Sequence, residues 1–236
     1  MDQRKYKRLL LLALLLMLTA CQSQSKLTKD SSSSEVNTIP GGKLDQIQED
    51  IQEKEKYLVL DVRSPGEYQS GHLRHAINIP LDELQESMEI LRERSEILIT
   101  ICNTQNRSSK AAIFLKGEGF DVLDAPGVKS YPYKSMVRHH NLLVKDFLTE
   151  AKDSEQIIDA RSLEDYDKGH LKNAIPWEDI ESLPSSFKKD EPLYIYCYAG
   201  NASGHLAEEL VNEGFFAVYS CLDGTKESDQ FELIKE

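Results

Sequence analysis

The sequence predicts an α/β protein of two tandem domains, each a mainly parallel sheet flanked by helices. Two observations predict it: a repeat within the chain, and the alternation of strand-like and helix-like segments in each copy. Residues 61–77 and 159–175 are identical at nine of seventeen positions, and residues 98–120 align with 193–215 without a gap. Because both matches recur in the same order about one domain length apart, the repeating unit is a whole domain.

The first copy alternates helix-like and strand-like segments. Its helical segments place apolar residues three and four positions apart, as Leu44, Ile47 and Ile51 do, whereas its strand segments are short apolar runs. The predicted elements are helix 44–53, strand 57–60, helix 81–92, strand 97–101, helix 108–116 and strand 122–123. The last helix has Gly117 and Gly119 at its end, where glycine commonly terminates a helix.

The second copy repeats this alternation. Its predicted elements are helix 142–152, strand 156–158, strand 193–196, helix 203–212 and strand 216–219. Alternation of this kind favours a parallel sheet covered by helices on both faces. We place the boundary between the domains near residues 138–141, which gives domain 1 as 39–138 and domain 2 as 139–236.

The first 38 residues differ in character from the rest. Four basic residues precede an apolar run, Leu9 to Leu18, which is too short to span a bilayer and is typical of a secretory signal. The following Leu18-Thr19-Ala20-Cys21 resembles a bacterial lipobox, which implies cleavage after residue 20 and lipid on Cys21. We expect residues 1–20 to be a lipoprotein signal peptide and residues 21–38 to be a flexible, serine-rich tether.

Composition and net charge limit the classes of partner that the protein can bind. With 40% hydrophobic and 29% charged residues, the chain of 236 residues belongs to the soluble globular class. Its net charge of −12 would become −15 without residues 1–20. An acidic body is repelled by nucleic acid and by anionic headgroups, so we expect no nucleic-acid partner. Lipid on Cys21 would instead hold the protein on the extracytoplasmic side of the bacterial cell membrane.

Two cysteines lie where functional sites are expected. Cys102 directly follows the predicted strand 97–101 and precedes a helix, and Cys197 has the same setting in the second copy. Sites of open parallel sheets lie beyond the carboxyl ends of the strands. A helix N-terminus there favours a thiolate, because backbone N–H groups and the helix dipole stabilise an anion. The spacing of the cysteines matches no metal motif, and we expect no metal or cofactor.

The loop after Cys102 carries the chemistry that a thiolate needs. Its backbone N–H groups can turn toward the sulfur and an anionic substrate, and Arg107 adds a forked cationic donor. The expected anion-binding residues are Asn103, Thr104, Gln105, Asn106 and Ser108. The second loop has Gly200 in place of Gln105 but Ala202 in place of the arginine, so Cys197 and Gly200 form a secondary candidate site.

The chain resembles the rhodanese family of sulfurtransferases at these motifs. The first copy carries Asp61-x-Arg63-Ser64-x-x-Glu67-Tyr68-x-x-Gly71-His72-Leu73-x-x-Ala76, followed by Cys102-x-x-x-x-Arg107-Ser108. The second carries Asp159-x-Arg161-Ser162-x-x-Asp165-Tyr166-x-x-Gly169-His170-Leu171-x-x-Ala174, followed by Cys197-x-x-Gly200. Residues 122–127 and 218–224 resemble the closing strand and glycine turn of the family.

The resemblance implies a mechanism without cofactor. The thiolate attacks the outer sulfur of thiosulfate or of a persulfide, a cysteine persulfide forms, and the sulfur passes to a thiol or cyanide. It also implies that Asp61, Arg63 and His72 hold the domain together. The family usually has glycine at the position of Gln105, so we expect a stiffer or differently shaped first loop. Since only the first loop keeps the arginine, we expect Cys102 to be the catalytic thiol.

Two alternatives stay open, and a third is disfavoured. The chain could be a catalytically inactive rhodanese-like binding or sensor module, because each loop is incomplete. It could be a thiol redox protein that uses Cys197 and Cys221. A phosphatase is disfavoured, because the related phosphatases place five residues between cysteine and arginine and this chain places four between Cys102 and Arg107.

Overall fold

The computed structural model describes residues 35–235. The predicted signal peptide, Cys21 and most of the predicted tether lie outside the described residues. Within residues 35–235, no helix is both long enough and apolar enough to cross a membrane. These residues belong to one compact unit that contains two five-stranded sheets.

The first sheet is parallel throughout, with the strand order β1-β6-β5-β2-β4. Its strands are β1 (Asn37–Thr38), β2 (Tyr57–Asp61), β4 (Ala76–Asn78), β5 (Ile97–Ile101) and β6 (Val122–Asp124). A separate antiparallel pair is formed by β3 (His72–Leu73) and β7 (Met136–Val137). The helices are α1 (Gly41–Glu49), α2 (Ile51–Lys54), α3 (Pro65–Gln69), α4 (Met88–Arg92) and α5 (Asn106–Gly117).

The second sheet has the same topology, with the order β10-β9-β11-β12-β8 and all strands parallel. Its strands are β8 (His140–Leu142), β9 (Ile157–Asp159), β10 (Ala174–Pro176), β11 (Leu193–Tyr196) and β12 (Val218–Cys221). The helices are α6 (Val144–Ala151), α7 (Leu163–Lys168) and α8 (Asn201–Asn212), with a 3₁₀ turn at Ile180–Ser182. The chain passes from the first set of strand pairings to the second between Val137 and His140.

Alternate residues of the central strands face two separate cores. In β5, Leu98 packs in a core with Leu115 of α5, whereas Ile99 packs in a core with Leu44 of α1. Successive side chains of a strand point to opposite faces, so a continuously apolar strand requires helices on both sides. The predicted α/β class and the parallel sheet between helices are therefore confirmed.

Two predicted helices differ from the structure. The first half of the predicted helix 81–92 is wrong, because residues 81–87 form turns and the helix covers only Met88–Arg92. Tight turns take up this segment, with the Glu83 N–H bonded to the Pro80 carbonyl at 2.9 Å and the Ser87 hydroxyl bonded to the Glu83 carbonyl at 3.1 Å. The predicted helix 44–53 is two helices, because the Asp50 carboxylate caps the N-terminus of α2.

Lys54 connects the two halves. Its side chain is buried, and its ammonium group donates to the carbonyl oxygens of Ala199 at 2.8 Å and Leu222 at 2.9 Å. The Glu227 carboxylate lies 3.5 Å from the same ammonium nitrogen. Because a buried ammonium group is costly unless it is fully paired, these contacts stabilise the position of the Cys197 loop against the first half.

Candidate active site

Each candidate cysteine lies at the carboxyl end of the middle strand of its sheet. Cys102 follows β5 and Cys197 follows β11, and both side chains are almost completely buried. The Ser108 N–H donates to the sulfur of Cys102 at 3.4 Å, and the Ser203 N–H donates to the sulfur of Cys197 at 3.4 Å. The serine hydroxyls lie at 3.5 and 3.4 Å from the same sulfur atoms. The repeat in sequence therefore produces the same thiol cradle twice.

The two loops share one backbone conformation at the position that differs in sequence. Gln105 has φ 71° and ψ −11°, and Gly200 has φ 75° and ψ −12°. Both residues have backbone angles in the left-handed region, and each immediately precedes the helix that follows its loop. The expectation that Gln105 changes the shape of the first loop is therefore wrong for its backbone. Gln105 in place of glycine instead raises the conformational energy of the folded loop, because a residue with a Cβ is disfavoured in the left-handed region.

Closing glycines pack directly against both loops. A Cβ on Gly127 would lie 2.1 Å from the carbonyl oxygen of Asn103, and a Cβ on Gly224 would lie 1.9 Å from the carbonyl carbon of Tyr198. The next residue after each glycine donates its N–H to the carbonyl of the cysteine, as Val128 does to Cys102 at 2.9 Å. Each of these glycines therefore packs against the backbone of its cysteine loop so closely that a Cβ would overlap with it.

The surroundings of Cys102 favour its thiolate. Burial acts to raise the pKa of the thiol. Hydrogen bonds from the Ser108 hydroxyl and from the backbone N–H groups of Ser108, Thr104 and Arg107 outweigh burial, so the pKa of Cys102 lies below its ordinary value. Donors that point at the sulfur stabilise its anionic form, which is the nucleophilic form of a cysteine.

Arg107 has a partner that lies forty residues earlier in the chain. Its two terminal nitrogens donate to the carboxylate of Glu67 at 2.7 and 2.8 Å. Asn103 donates to the same carboxylate at 2.6 Å. In the sequence, Glu67 stands out only as part of the family motif. Its place beside the loop depends on the fold, which brings α3 against the start of α5. Asn106 begins α5 and is exposed.

The Asp-x-Arg pairs are internal supports. Arg63 is buried and forms a pair with Asp61 at 2.6 Å, and it also donates to the Gly71 carbonyl at 2.7 Å. In the second half, Arg161 pairs with Asp159 at 2.7 Å and donates to the Gly169 carbonyl at 2.6 Å. His72 stacks on Tyr68, with ring centroids 3.6 Å apart. These contacts agree with a structural role for Asp61, Arg63 and His72.

The side chains around the Cys197 loop differ from those around the Cys102 loop. Tyr198 occupies the position of Asn103, and its hydroxyl donates to Asp165, which stands where Glu67 stands in the first half. The ammonium group of Lys226 lies 4.4 Å from the centre of the Tyr198 ring. Ala202 adds no charge, so the second loop lacks the forked donor of the first.

Cys221 is a free buried thiol, as are Cys102 and Cys197, so the part of the chain that the structure describes contains no disulfide. Burial raises the pKa of Cys221 well above its ordinary value, and the nearby Asp223 and Cys197 raise it further. Such a thiol is a poor redox nucleophile, and the Cys197–Cys221 alternative gains no support. Residues 35–235 also hold no group of three or more side chains that could bind a metal ion.

Comparisons with known proteins match the repeated site. The rhodanese-like domain family matches residues 44–130 and 143–228. YrkF of Bacillus subtilis, named as a candidate sulfur carrier protein, is 32% identical over 108 residues, which are 45% of this chain and 58% of that protein. The thiosulfate sulfurtransferase GlpE of Shewanella oneidensis is 38% identical over 79 residues, which are 33% of this chain and 76% of that protein.

A solved structure of a rhodanese-related protein from Thermoplasma volcanium is 33% identical, with a TM-score of 0.38, over 44% of this chain and 99% of that one. The chain spans less than two thirds of the length of YrkF, at 58%. The two family matches together take in most of the chain, and each contains one cysteine loop. This chain therefore belongs to the rhodanese-like domain family, with two such domains in tandem.

Proposed function

We propose that this protein is a sulfurtransferase that moves sulfane sulfur from thiosulfate or a persulfide to a thiol or cyanide through a persulfide on Cys102. Family membership, and relatives named for sulfur transfer, support the general class of reaction. The observation that carries the proposal is the cradle around Cys102, where the serine hydroxyl and three backbone N–H groups lower the pKa of a buried thiol.

In the loading step, the Cys102 thiolate attacks the outer sulfur of the donor. A new bond forms between the cysteine sulfur and that outer sulfur, and the sulfur–sulfur bond of the donor breaks. Sulfite leaves thiosulfate with the electron pair, or a thiolate leaves a persulfide. The inward-facing N–H groups of the loop stabilise the negative charge throughout, as preorganised donors do in other anionic reactions.

In the transfer step, the acceptor attacks the terminal sulfur of the Cys102 persulfide. Cyanide leaves as thiocyanate and an acceptor thiolate leaves as a persulfide, and in both cases the electron pair of the broken bond returns to Cys102 as the thiolate. No net oxidation or reduction of the protein occurs over the cycle. The cycle therefore needs no added oxidant or reductant.

Cys102 is the better candidate of the two loop cysteines. Hydrogen bonds from its own loop lower the pKa of Cys102, and the electrostatic interaction between Arg107 and Cys102 also favours the charged form of both, although Arg107 is paired with Glu67. The second loop has Ala202 at the position of Arg107 and directs Tyr198 to Asp165. We therefore assign sulfur loading to Cys102 and a minor contribution to Cys197.

Intact-mass measurement of the full-length chain after incubation with thiosulfate tests this assignment. We expect a gain of one sulfur atom that peptide mapping places on Cys102. Cys102→Ser should abolish this gain and the thiosulfate:cyanide activity, whereas the matched variant Cys197→Ser should keep most of both. Absence of a persulfide on either cysteine would favour the non-catalytic binding module, and the opposite behaviour of the variants would reverse the assignment.

We further propose that lipid on Cys21 anchors the protein to the extracytoplasmic face of the bacterial membrane. The basic start, the apolar run and the small residues before Cys21 support this proposal. Metabolic labelling with an alkyne fatty acid should mark the protein when it is expressed in bacteria. Cys21→Ser should lose the label and leave the membrane fraction, and labelling that persists in this variant would contradict the proposal.

A further inference from the structure

The carboxylate of Glu67 ties together both ends of the Cys102 loop. Its Oε1 accepts from Asn103 at 2.6 Å and from Arg107 at 2.8 Å, and its Oε2 accepts from Arg107 at 2.7 Å. Asn103 directly follows Cys102, and Arg107 lies in the first turn of α5 at the other end of the loop. A single acidic side chain from α3 therefore bridges the loop from outside.

This carboxylate is itself held rigidly. The Ser64 N–H and hydroxyl donate to its Oε2 at 3.0 and 2.9 Å, at the N-terminus of α3. The Arg107 guanidinium, assisted by the two Ser64 donors, holds the pKa of Glu67 far below its usual range. Glu67 is thus a fixed anion at every pH at which the protein would work.

The fixed anion changes the charge that a sulfur donor meets. A free Arg107 would present a full positive charge beside the loop, but the forked pair with Glu67 leaves the two side chains with no net charge. Coulomb energy is proportional to the product of the charges. Neutralisation of Arg107 therefore makes the binding of both anionic donors less favourable. The loss of binding energy is about twice as large for the thiosulfate dianion as for a singly charged persulfide.

Comparison with the second half distinguishes the neutralisation of Arg107 from the packing support of the loop. Asp165 stands in the place of Glu67 and bonds the first loop residue, Tyr198, just as Glu67 bonds Asn103. Its cationic partner is Lys168 of its own helix at 2.9 Å, because Ala202 offers no charge. Support of the first loop residue is common to both halves, whereas neutralisation of a loop arginine occurs only in the first.

We propose that Glu67 sets the donor preference of the Cys102 site, favouring singly charged persulfides over the thiosulfate dianion. This inference rests on the sulfur transfer proposed above. Glu67 is a positioning residue, since it acts through Arg107 and Asn103. The loading step itself is unchanged: the new sulfur–sulfur bond forms at Cys102, and a thiolate leaves the persulfide with the electron pair.

The test compares two donors on the full-length protein. Rate constants for formation of the Cys102 persulfide are measured by quenching and mass spectrometry, with thiosulfate and with 2-hydroxyethyl persulfide generated in situ. Glu67→Gln should raise the ratio of the thiosulfate rate constant to the persulfide rate constant about tenfold at low salt. High ionic strength should diminish this change, because the groups are partly exposed and screening weakens their fields.

Glu118→Gln is the matched control. Glu118 pairs with Arg92 at 2.8 Å on the exposed surface at the far end of α5, so the variant makes the same charge change away from the loop. Its donor ratio should equal that of the wild type. An unchanged ratio in Glu67→Gln, or equal losses with both donors, would overturn the inference and leave Glu67 as packing support.

A second variant keeps the inference testable if Glu67→Gln does not fold. Arg107→Gln leaves the Glu67 charge uncompensated, so it should lower the donor ratio about tenfold, in the opposite direction. Equal losses with both donors in this variant would also contradict a charge effect. If wild-type protein forms no persulfide on Cys102 with either donor, the sulfur transfer proposed above fails, and the inference fails with it.

Discussion

Replacement of Gln105 by glycine should stabilise the protein without reshaping the Cys102 loop. Gln105 is held at φ 71°, and its side chain makes no capping hydrogen bond to α5. A residue with a Cβ in the left-handed region costs about 1.5 kcal/mol. Glycine removes this strain, but its greater freedom in the unfolded chain costs about 0.7 kcal/mol. The net expectation is a gain of about 0.8 kcal/mol in the free energy of unfolding.

The reverse change in the second loop should be far more damaging. Gly200 has φ 75°, and a Cβ there would lie 2.0 Å from the carbonyl oxygen of Leu222. Gly200→Gln adds the left-handed strain and a steric clash with backbone that Lys54 holds in place. We expect a loss of about 3 kcal/mol or more. The two loops thus share a conformation but differ in the room that surrounds it.

Urea unfolding of the full-length chain, with stability obtained by linear extrapolation, measures both effects. For a protein of this size, the gain in Gln105→Gly corresponds to a rise in Tm of about 2–3 °C. The reasoning would be refuted if Gln105→Gly were neutral or destabilising, or if Gly200→Gln were tolerated. Either result would mean that the left-handed backbone does not control the energy of these positions.

Two further predictions concern buried groups. Lys54→Met leaves the buried carbonyls of Ala199 and Leu222 unpaired and should cost about 3 kcal/mol in urea unfolding, whereas the exposed Lys56→Met should cost almost nothing. Ser108→Ala removes a hydroxyl donor to the Cys102 thiolate. It should move the pH midpoint of persulfide formation upward and slow the reaction about fivefold at neutral pH, and an unmoved midpoint would contradict this.

Much of the architecture could be predicted from local pattern. The strands 97–101 and 193–196 have the predicted bounds, because continuously apolar runs between helices leave few alternatives. The turns of residues 81–87 were missed, because the apolar spacing there resembles a helix while the backbone closes tight turns after Pro80. The shortest strands, such as β3 and β7, were also missed, because they pair across the chain and carry no periodic signal.

The repeated α/β domains, the two cysteine loops and the family motifs could be predicted because each depends on residues that are neighbours along the chain. The surroundings of each loop depend on the tertiary fold. The structure shows that Gln105 adopts the conformation of Gly200, that Glu67 neutralises Arg107 across forty residues, and that Lys54 reaches the second loop from the first half. Such contacts form between segments distant in sequence, where side-chain partners are fixed by packing rather than by spacing. The position of each cysteine loop at the end of a strand was therefore predictable, whereas its electrostatic setting was not.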